Sequence, residues 1–286
     1  MTLSAAAASA RDLLVGAGFA PNDAWRDAVV IARSVLGRDE AEWLVRSRDD
    51  APPGFVEGYL RLIERRAARE PVAYITGRRE FYGRTFRVTP AVLIPRPETE
   101  LIVEEALRSV AGRASDDAPR IIDVGTGSGC LAITLALEVP SAEVIATDVS
   151  DSALQIAQEN AGHLGADRVA FMCGFCLAGA HGPFDLIVSN PPYVAAGDHS
   201  SLPRDVADYE PAAALFGGAD GLAVIRHVVT AAATALAPAG WLIMEIGQGQ
   251  SDRVRQLVTD STGLALVAVR DDLQGIPRVV VARRNV

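Results

Sequence analysis

Apolar residues recur at helical spacing through residues 1–70, in four successive patterns. The second pattern is the clearest, because Asn22 can cap a helix there and Gly37 can end it. The apolar positions of this pattern share one helical face: Ala28, Ile31, Ala32, Val35 and Leu36. The chain is therefore predicted to begin with a small helical domain.

The pattern then changes to short alternating segments. Residues 81–88 predict a β-hairpin with Gly83 near its turn. Prolines stiffen residues 94–100, and acidic residues mark the first turn of a helix predicted over residues 99–111. A polar loop is predicted at residues 114–119.

Strands and helices alternate from residue 120 onward. Seven strands are predicted, at residues 120–124, 143–147, 168–172, 184–188, 240–246, 264–269 and 278–283. Four helices are predicted, at residues 130–138, 152–164, 222–236 and 251–260. Such alternation is typical of a mostly parallel sheet with helices on both faces. Because only a short loop joins the last two strands, they should pair antiparallel.

This arrangement predicts an α/β fold, a Rossmann-like class I methyltransferase sheet with a small N-terminal helical domain. The predicted domain organisation has three segments: a helical domain at residues 1–77, a hairpin linker at residues 78–96 and the domain with the methyltransferase-type sheet at residues 97–286.

Composition and charge narrow the function classes. The 286 residues carry a formal net charge of -9, and an acidic chain repels phosphate backbones, so no stable nucleic-acid partner is expected. Residues 1–10 lack the basic start of a signal peptide, and Arg226 and His227 interrupt the most apolar later stretch. Together with three cysteines, which suit a reducing compartment, these features predict a cytoplasmic protein without a membrane segment.

Cys173 and Cys176 form a C-x-x-C pair. One pair cannot fill a four-ligand zinc site without partners such as His163 or His181. A thioredoxin-like motif would open a helix, whereas this pair lies at the end of a predicted strand. We interpret the pair as incidental and predict no metal site.

A glycine-rich loop follows the first predicted strand of the α/β domain. It consists of Gly125, Thr126, Gly127, Ser128 and Gly129. Such a loop lets a ligand approach the backbone closely. The dinucleotide fingerprint would need glycine or alanine where Cys130 stands. Asp123, two residues before the first glycine, can instead attract the ammonium group of a methionine moiety. A structural tight turn is the alternative.

Two further positions follow predicted strands, at the edge where open sheets bind ligands. Asp148 ends the second strand and can accept both hydroxyls of a ribose; the alternative is a helix N-cap. Phe175 follows the third strand and can stack on adenine; the alternative is a core residue.

The tetrapeptide Asn190-Pro191-Pro192-Tyr193 follows the fourth predicted strand. Its prolines fix the backbone and remove two N–H donors. The turn then presents the Asn190 side-chain oxygen and the Pro191 carbonyl to an –NH2 group, with Tyr193 packed on the planar group. This would orient the nitrogen for in-line attack on a sulfonium methyl, so Asn190, Pro191 and Tyr193 are the predicted catalytic residues. A proline-containing loop without a catalytic role is the alternative.

These motifs together resemble the protein-glutamine N5-methyltransferases, most closely the PrmC/HemK family that methylates peptide chain release factors. The resemblance covers nearly the whole chain and extends to further blocks at residues 69–77, 80–83, 94–100, 188–194, 209–211, 214–218 and 220–222. Two departures stand out. The family usually has aspartate before its aromatic, where this chain has Cys173-Gly174-Phe175, and it usually reads G-x-D-R where this chain has Gly275-Ile276-Pro277-Arg278.

The resemblance implies an enzyme that uses S-adenosyl-L-methionine and releases S-adenosyl-L-homocysteine. The glycine loop and Asp148 would bind this cofactor, Phe175 would lie beside adenine, and Asn190 would touch both cofactor and acceptor. The helical domain would bind a class 1 release factor, whose Gly-Gly-Gln glutamine would be the acceptor. A monomer is expected.

Three alternatives stay open. The acceptor glutamine could belong to a ribosomal protein. A DNA adenine methyltransferase would also use an N-P-P-Y loop, but it would need a target-recognition domain and a basic face, and neither is evident. A catalytically silent methyltransferase-like fold could serve as a binding module, against which the intact glycine loop, Asp148 and N-P-P-Y argue.

Overall fold

The computed structural model of the protein describes residues 1–111 and 117–285, so the predicted loop at residues 114–119 lies partly outside the described residues. The chain forms two compact units. The first contains Met1–Arg78 and Pro203–Tyr209, and the second contains Arg79–Leu202 and Glu210–Val286.

The first unit is helical. Its N-terminal part contains α1 (Leu3–Gly16), α2 (Pro21–Leu36), α3 (Glu40–Arg46), α4 (Phe55–Ala67) and α5 (Val72–Thr76). Their apolar faces meet in a core whose largest fully buried members include Leu14, Ile31, Tyr59 and Ile63.

The two ends of α2 can be compared with the cap and the end predicted from the sequence. Gly37 ends the helix in the left-handed conformation, with φ of 62°, as predicted. The predicted cap at Asn22 is wrong, because Ala20 occupies the N-cap position and Pro21 is the first helical residue. The fixed φ of proline suits the first helical turn, and its missing N–H would have no partner there.

A short hairpin precedes the main sheet, as predicted. It pairs β1 (Arg78–Phe81) with β2 (Arg84–Arg87). Tyr82 and Gly83 form its turn with φ of 50° and 70°, the positive values that a two-residue hairpin turn requires.

The main sheet has seven strands. They are β3 (Arg120–Val124), β4 (Glu143–Asp148), β5 (Ala170–Cys173), β6 (Phe184–Ser189), β7 (Leu236–Glu245), β8 (Leu264–Asp271) and β9 (Pro277–Arg284). Their order is β5-β4-β3-β6-β7-β9-β8; the first five are parallel and β9 is antiparallel to both neighbours. The predicted methyltransferase-type sheet is confirmed.

Helices cover both faces of this sheet. The remaining helices of the second unit are α6 (Glu100–Ala111), α7 (Cys130–Glu138), α8 (Asp151–Leu164), α10 (Ala212–Leu215), α11 (Ala223–Ala235) and α12 (Ser251–Asp260), whereas α9 (Arg204–Tyr209) belongs to the first unit. One buried cluster contains residues of α6, α7 and α8, and a second contains residues of α11 and α12. Two 3-10 helices, Pro97–Thr99 and Ala196–Ser201, complete the second unit.

One segment from late in the sequence belongs to the first unit. The sequence predicts that Pro203–Tyr209 belongs to the methyltransferase domain, whereas in the structure this segment groups with the N-terminal helices. Within that unit the Tyr209 hydroxyl donates a hydrogen bond of 2.8 Å to the Ala68 carbonyl.

The register of the parallel strands places their carboxyl ends side by side. Val124 of β3 pairs with Thr147 of β4 and with Ser189 of β6, and Asp148 pairs with Cys173 of β5. The residues that follow these strands therefore meet at one edge of the sheet. Among the described residues, no helix has the length and apolar character needed to cross a membrane.

Candidate active site

A cavity of about 260 Å³ lies at this edge of the sheet. Most of the residues predicted to form the site line it: Gly125, Thr126, Gly127, Ser128, Asp148, Phe175, Asn190, Pro191 and Pro192. Asp123, Gly129 and Tyr193 do not line its walls. The structure therefore brings the glycine loop at residues 125–129 and the loop at residues 190–193 into one cavity. We refer to residues 190–193 as the acceptor loop.

The three loop glycines all adopt left-handed backbone conformations, with φ of 75° at Gly125, 55° at Gly127 and 83° at Gly129. A Cβ at Gly129 would be crowded by Ala157, whose Cβ and Cα would lie 3.1 and 3.3 Å away, and the left-handed backbone also favours glycine there. A Cβ at Gly125 or Gly127 would meet no atom within 4 Å, and both residues line the cavity. Side chains at these two positions would project into space that a ligand needs.

Asp123 lies behind the glycine loop. Its carboxylate is fully buried, and Oδ2 accepts hydrogen bonds from the Thr126 hydroxyl at 2.6 Å and from the Ala132 amide at 3.2 Å. No described residue donates to Oδ1. Burial raises the pKa of Asp123 to about 7. Through Oδ2 the carboxylate holds the loop against the start of α7. Contact of Asp123 with a ligand's ammonium group, expected from the sequence, stays a prediction.

Asp148 lies in the cavity wall and orders the backbone around it. Its two oxygens accept hydrogen bonds of 2.9 Å from the amides of Gly127 and Ser150. The helix-cap alternative is wrong, because Ser150 is the N-cap of α8 and accepts from the Ala153 amide. Each carboxylate oxygen has a second lone pair, so Asp148 can still accept the hydroxyls of a ribose.

Phe175 lies at the mouth of the site. Its side chain is 50% exposed, lines the cavity and packs edge-to-face against His227, with ring centroids 5.0 Å apart. An aromatic ring with this exposure is not a core residue, so the core alternative is wrong. Cys173 and Cys176 flank it, and both are free thiols.

The acceptor loop presents two unsatisfied oxygens. The Asn190 side-chain nitrogen donates to the Thr99 hydroxyl at 3.0 Å, which leaves Oδ1 at the other end of the amide. Among the described residues, none donates a hydrogen bond to Asn190 Oδ1 or to the Pro191 carbonyl. Both residues line the cavity, so a donor group entering it would find two acceptors.

Two residues that the sequence analysis missed hold this loop. Thr99 donates to Glu245 Oε2 at 2.6 Å, and the Tyr193 hydroxyl donates to Glu245 Oε1 at 3.2 Å. Glu245 is 2% exposed, and burial raises its pKa to about 7. Tyr193 packs with the apolar cluster beneath α11 and α12 instead of lining the cavity. Packing of Tyr193 on a planar acceptor group, expected from the sequence, stays a prediction.

Backbone hydrogen bonds connect the block at residues 214–218 to Val194, the residue that follows the acceptor loop. The Val194 amide donates to the Leu215 carbonyl, and the Gly217 amide donates back to the Val194 carbonyl, both at 2.9 Å. A Cβ at Gly217 would overlap the Pro192 carbonyl oxygen, so only glycine permits this close approach.

Glu210 fixes the opposite wall. Its buried carboxylate accepts from the Ile94 amide at 3.2 Å and forms an ion pair with Arg96. This holds residues 94–99 in place, and Pro95 and Thr99 from that stretch line the cavity.

The site suits S-adenosylmethionine. Gly125 and Gly127 leave room beside the backbone, Asp148 offers carboxylate oxygens for a ribose, and Phe175 offers an exposed ring for adenine. The fold and this site define an S-adenosylmethionine-dependent methyltransferase. Residues 104–205 match the methyltransferase small domain family, and residues 5–77 match the PrmC N-terminal domain family. The chain belongs to the release factor glutamine methyltransferase family.

Family membership rests on similarity over most of the chain to relatives of that name. The chain is 46% identical to the release factor glutamine methyltransferase of Koribacter versatilis (strain Ellin345), over 79% of each chain. It is 44% identical to that of Bordetella pertussis (strain Tohama I), over 88% of this chain and 92% of the relative. It is 41% identical to that of Bradyrhizobium diazoefficiens, over 90% of this chain and 87% of the relative.

Solved structures share the fold at low sequence identity. A methyltransferase from Pyrococcus furiosus matches with a TM-score of 0.51 and 14% identity, covering 80% of this chain and 100% of that chain. The hMettl16 catalytic domain matches with a TM-score of 0.56 and 15% identity, covering 78% of this chain and 81% of that chain.

Replacing Asp148 by alanine should weaken S-adenosylmethionine binding by about 1.5–3 kcal/mol, the range for loss of a charged hydrogen-bond acceptor. Calorimetric titration measures this effect. Asp151→Ala, which removes an exposed carboxylate from the start of α8, is the matched control and should bind normally. Unchanged affinity in Asp148→Ala would remove Asp148 from the cofactor site.

Phe175→Ala should weaken cofactor binding and leave the melting temperature of the cofactor-free protein nearly unchanged, because the ring is half-exposed. Phe175→Trp should bind normally. Differential scanning calorimetry and cofactor titration separate the two effects. Phe184→Ala, at a fully buried ring, provides the contrast and should lower the melting temperature strongly. A comparable drop in Phe175→Ala would contradict the stacking role.

The raised pKa of Asp123 predicts how the stability of the folded protein changes with pH. Because the folded-state pKa is about 7 against an ordinary 3.8, the folded state binds the proton more tightly. The protonated Asp123 carboxyl group therefore stabilises the folded state below pH 4, and this stabilisation is lost as the pH rises to 7. Between pH 5 and pH 8 the stability of the wild type relative to Asp123→Asn should fall, on the order of 3 kcal/mol. Urea unfolding of both proteins tests this; a difference that rises with pH would contradict it.

Proposed function

We propose that this protein transfers a methyl group from S-adenosyl-L-methionine to the side-chain amide nitrogen, N5, of the glutamine in the Gly-Gly-Gln motif of class 1 peptide chain release factors. The observation that carries the proposal is the pair of free acceptors, Asn190 Oδ1 and the Pro191 carbonyl, in the same cavity as the glycine loop and Asp148. The names of the relatives support the substrate class.

The acceptor chemistry explains why two oxygens are needed. An amide nitrogen is a poor nucleophile, because its lone pair is delocalised into the carbonyl. When both of its hydrogens are held by Asn190 Oδ1 and the Pro191 carbonyl, the –NH2 group is fixed in place and its lone pair can be aimed. Such orientation can lower the activation barrier by several kcal/mol. S-adenosylmethionine, when bound, supplies a methyl group on a positively charged sulfur.

The reaction balances with water as the final proton acceptor. A nitrogen–carbon bond forms, the carbon–sulfur bond breaks, and S-adenosyl-L-homocysteine leaves. The positive charge passes from sulfur to the amide nitrogen, which then loses one proton. The oxygens of Asn190 and Pro191 stabilise the charge that develops on that –NH2 group, because they are acceptors held in place before the reaction.

The rest of the chain has complementary roles in this proposal. The helical domain at residues 1–77 binds the release factor, the segment at residues 78–96 links the domains, and residues 97–286 hold cofactor and acceptor. The enzyme acts as a monomer in the cytoplasm and forms no stable complex with nucleic acid, which its net charge of -9 disfavours.

Asn190→Ala should lower the methylation rate constant about 100-fold or more and leave folding intact, because the lost hydrogen bond matters most in the transition state. Single-turnover assays on a purified class 1 release factor, read by mass spectrometry, measure the rate. Asn285→Ala, an exposed asparagine near the C-terminus that does not line the cavity, is the matched control and should react normally.

The substrate arm of this experiment uses a release factor whose motif glutamine is replaced by glutamate. This substrate should not be methylated, since no –NH2 group remains to be held. Near-normal transfer by Asn190→Ala would contradict the mechanism. Methylation of a ribosomal protein or of DNA, with the release factor left unmodified, would contradict the substrate class.

A further inference from the structure

A chain of hydrogen bonds runs from the end of β7 to the acceptor loop. Glu245, the last residue of β7, accepts from the Thr99 hydroxyl at 2.6 Å, and Thr99 accepts from the Asn190 side-chain nitrogen at 3.0 Å. Thr99 and Glu245 are each 2% exposed, so solvent does not compete for these bonds. We refer to Glu245, Thr99 and Asn190 as the relay.

The direction of the relay follows from the chemistry of its members. An ionised carboxylate only accepts hydrogen bonds, so the single hydroxyl hydrogen of Thr99 must go to Glu245. Thr99 can then only accept from Asn190, which must turn its –NH2 end toward Thr99. The oxygen of Asn190 is left as the end of the amide that is available to a donor in the cavity.

We propose that Glu245 and Thr99 are positioning residues that determine which end of the Asn190 amide faces the acceptor. This rests on the proposed function, because it concerns how Asn190 holds an –NH2 group. A reversed Asn190 would set its own –NH2 against the –NH2 of the substrate, and two donors cannot bond. Glu245 also accepts from the Tyr193 hydroxyl, so one carboxylate fixes both ends of the acceptor loop.

The surroundings of Glu245 bear on its protonation. Burial, with a smaller contribution from Glu98, raises its pKa to about 7, while the hydrogen bonds from Thr99 and Tyr193 and the charge of Arg278 act in the opposite direction. The Cys130 thiol is a further titratable group on which the charge of Glu245 acts. A protonated Glu245 can donate to Thr99, which frees the Thr99 hydroxyl to donate to Asn190 and reverses the relay. The rate constant should therefore fall as the pH drops through about 7.

The first test removes one hydroxyl. Thr99→Val keeps the side-chain shape, and Thr99→Ser keeps the hydroxyl. Steady-state assays with S-adenosylmethionine and a purified release factor should show kcat lowered about 10- to 100-fold in Thr99→Val, with KM for the release factor little changed. Thr99→Ser should restore kcat to near the wild-type value. Failure of serine to rescue would show that Thr99 acts by packing and would overturn the inference.

The second test changes the carboxylate. Glu245→Gln can donate to Thr99 at any pH, so its kcat should be low and should lack the inflection of the wild type near pH 7. Its effect should not add to that of Thr99→Val, because both break one relay. Glu143→Gln, at an exposed carboxylate at the start of β4, is the matched control and should retain the wild-type profile. If either relay variant fails to fold, the other carries the test.

The outcomes separate this inference from the proposed function. A wild-type enzyme that methylates the release factor, together with Thr99→Val and Glu245→Gln variants of normal kcat, would overturn the positioning role alone. A folded wild-type enzyme with no activity on any class 1 release factor would overturn the proposed function.

Discussion

The parallel register of four strands is the constraint on which the site depends. Hydrogen bonding between β3, β4, β5 and β6 sets their carboxyl ends at one level, so that the residues after each strand meet. Gly125, Asp148, Phe175 and Asn190 are far apart in sequence and share one cavity for this reason alone. A slip of one residue in any of these strands would turn its buried side chains to the other face and disperse the site.

Buried carboxylates hold the loops that lie at the ends of these strands. Burying a charge is costly unless hydrogen bonds compensate, and each of these groups has such partners. Asp123 binds the glycine loop to the start of α7, Glu245 binds Thr99 and Tyr193, and Glu210 binds Ile94 and Arg96. Apolar residues would pack there at lower cost, but they could not order polar loops. Burying these carboxylates therefore lowers the stability of the fold, but it gives the site a fixed shape.

The sequence predicted the sheet and the wall of the cavity well, because both leave local signals. Alternating strand and helix patterns fixed the strand sequence, and the glycine loop and N-P-P-Y loop are contiguous motifs. The relay left a weaker signal. Thr99 is an ordinary threonine near a helix start, and its partner Glu245 lies 146 residues away. The one available clue was an acidic residue in the otherwise apolar end of β7, since a charge buried in a strand needs a partner.

Two side chains that the sequence assigned to the site do not line the cavity. Asp123 and Tyr193 adjoin the right motifs, but adjacency along the chain does not fix the direction of a side chain. Asp123 precedes the glycine loop at a buried strand position, so its carboxylate turns toward α7. Tyr193 has a hydroxyl that needs a partner once buried, and the fixed acceptor within its reach is Glu245.

The acceptor loop selects a functional group and leaves the selection of the molecule to other parts of the site. Asn190 Oδ1 and the Pro191 carbonyl suit any –NH2 group on a planar carbon, whether on a glutamine amide or on a base. Discrimination must therefore come from the walls beside them. Pro211, Ala214 and Phe216 line the cavity next to the loop, and hydrogen bonds between Val194 and the 214–218 block fix their distance from it. The block at residues 214–218, which carries Ala214 and Phe216, is thus a part of the wall that the backbone ties directly to the loop.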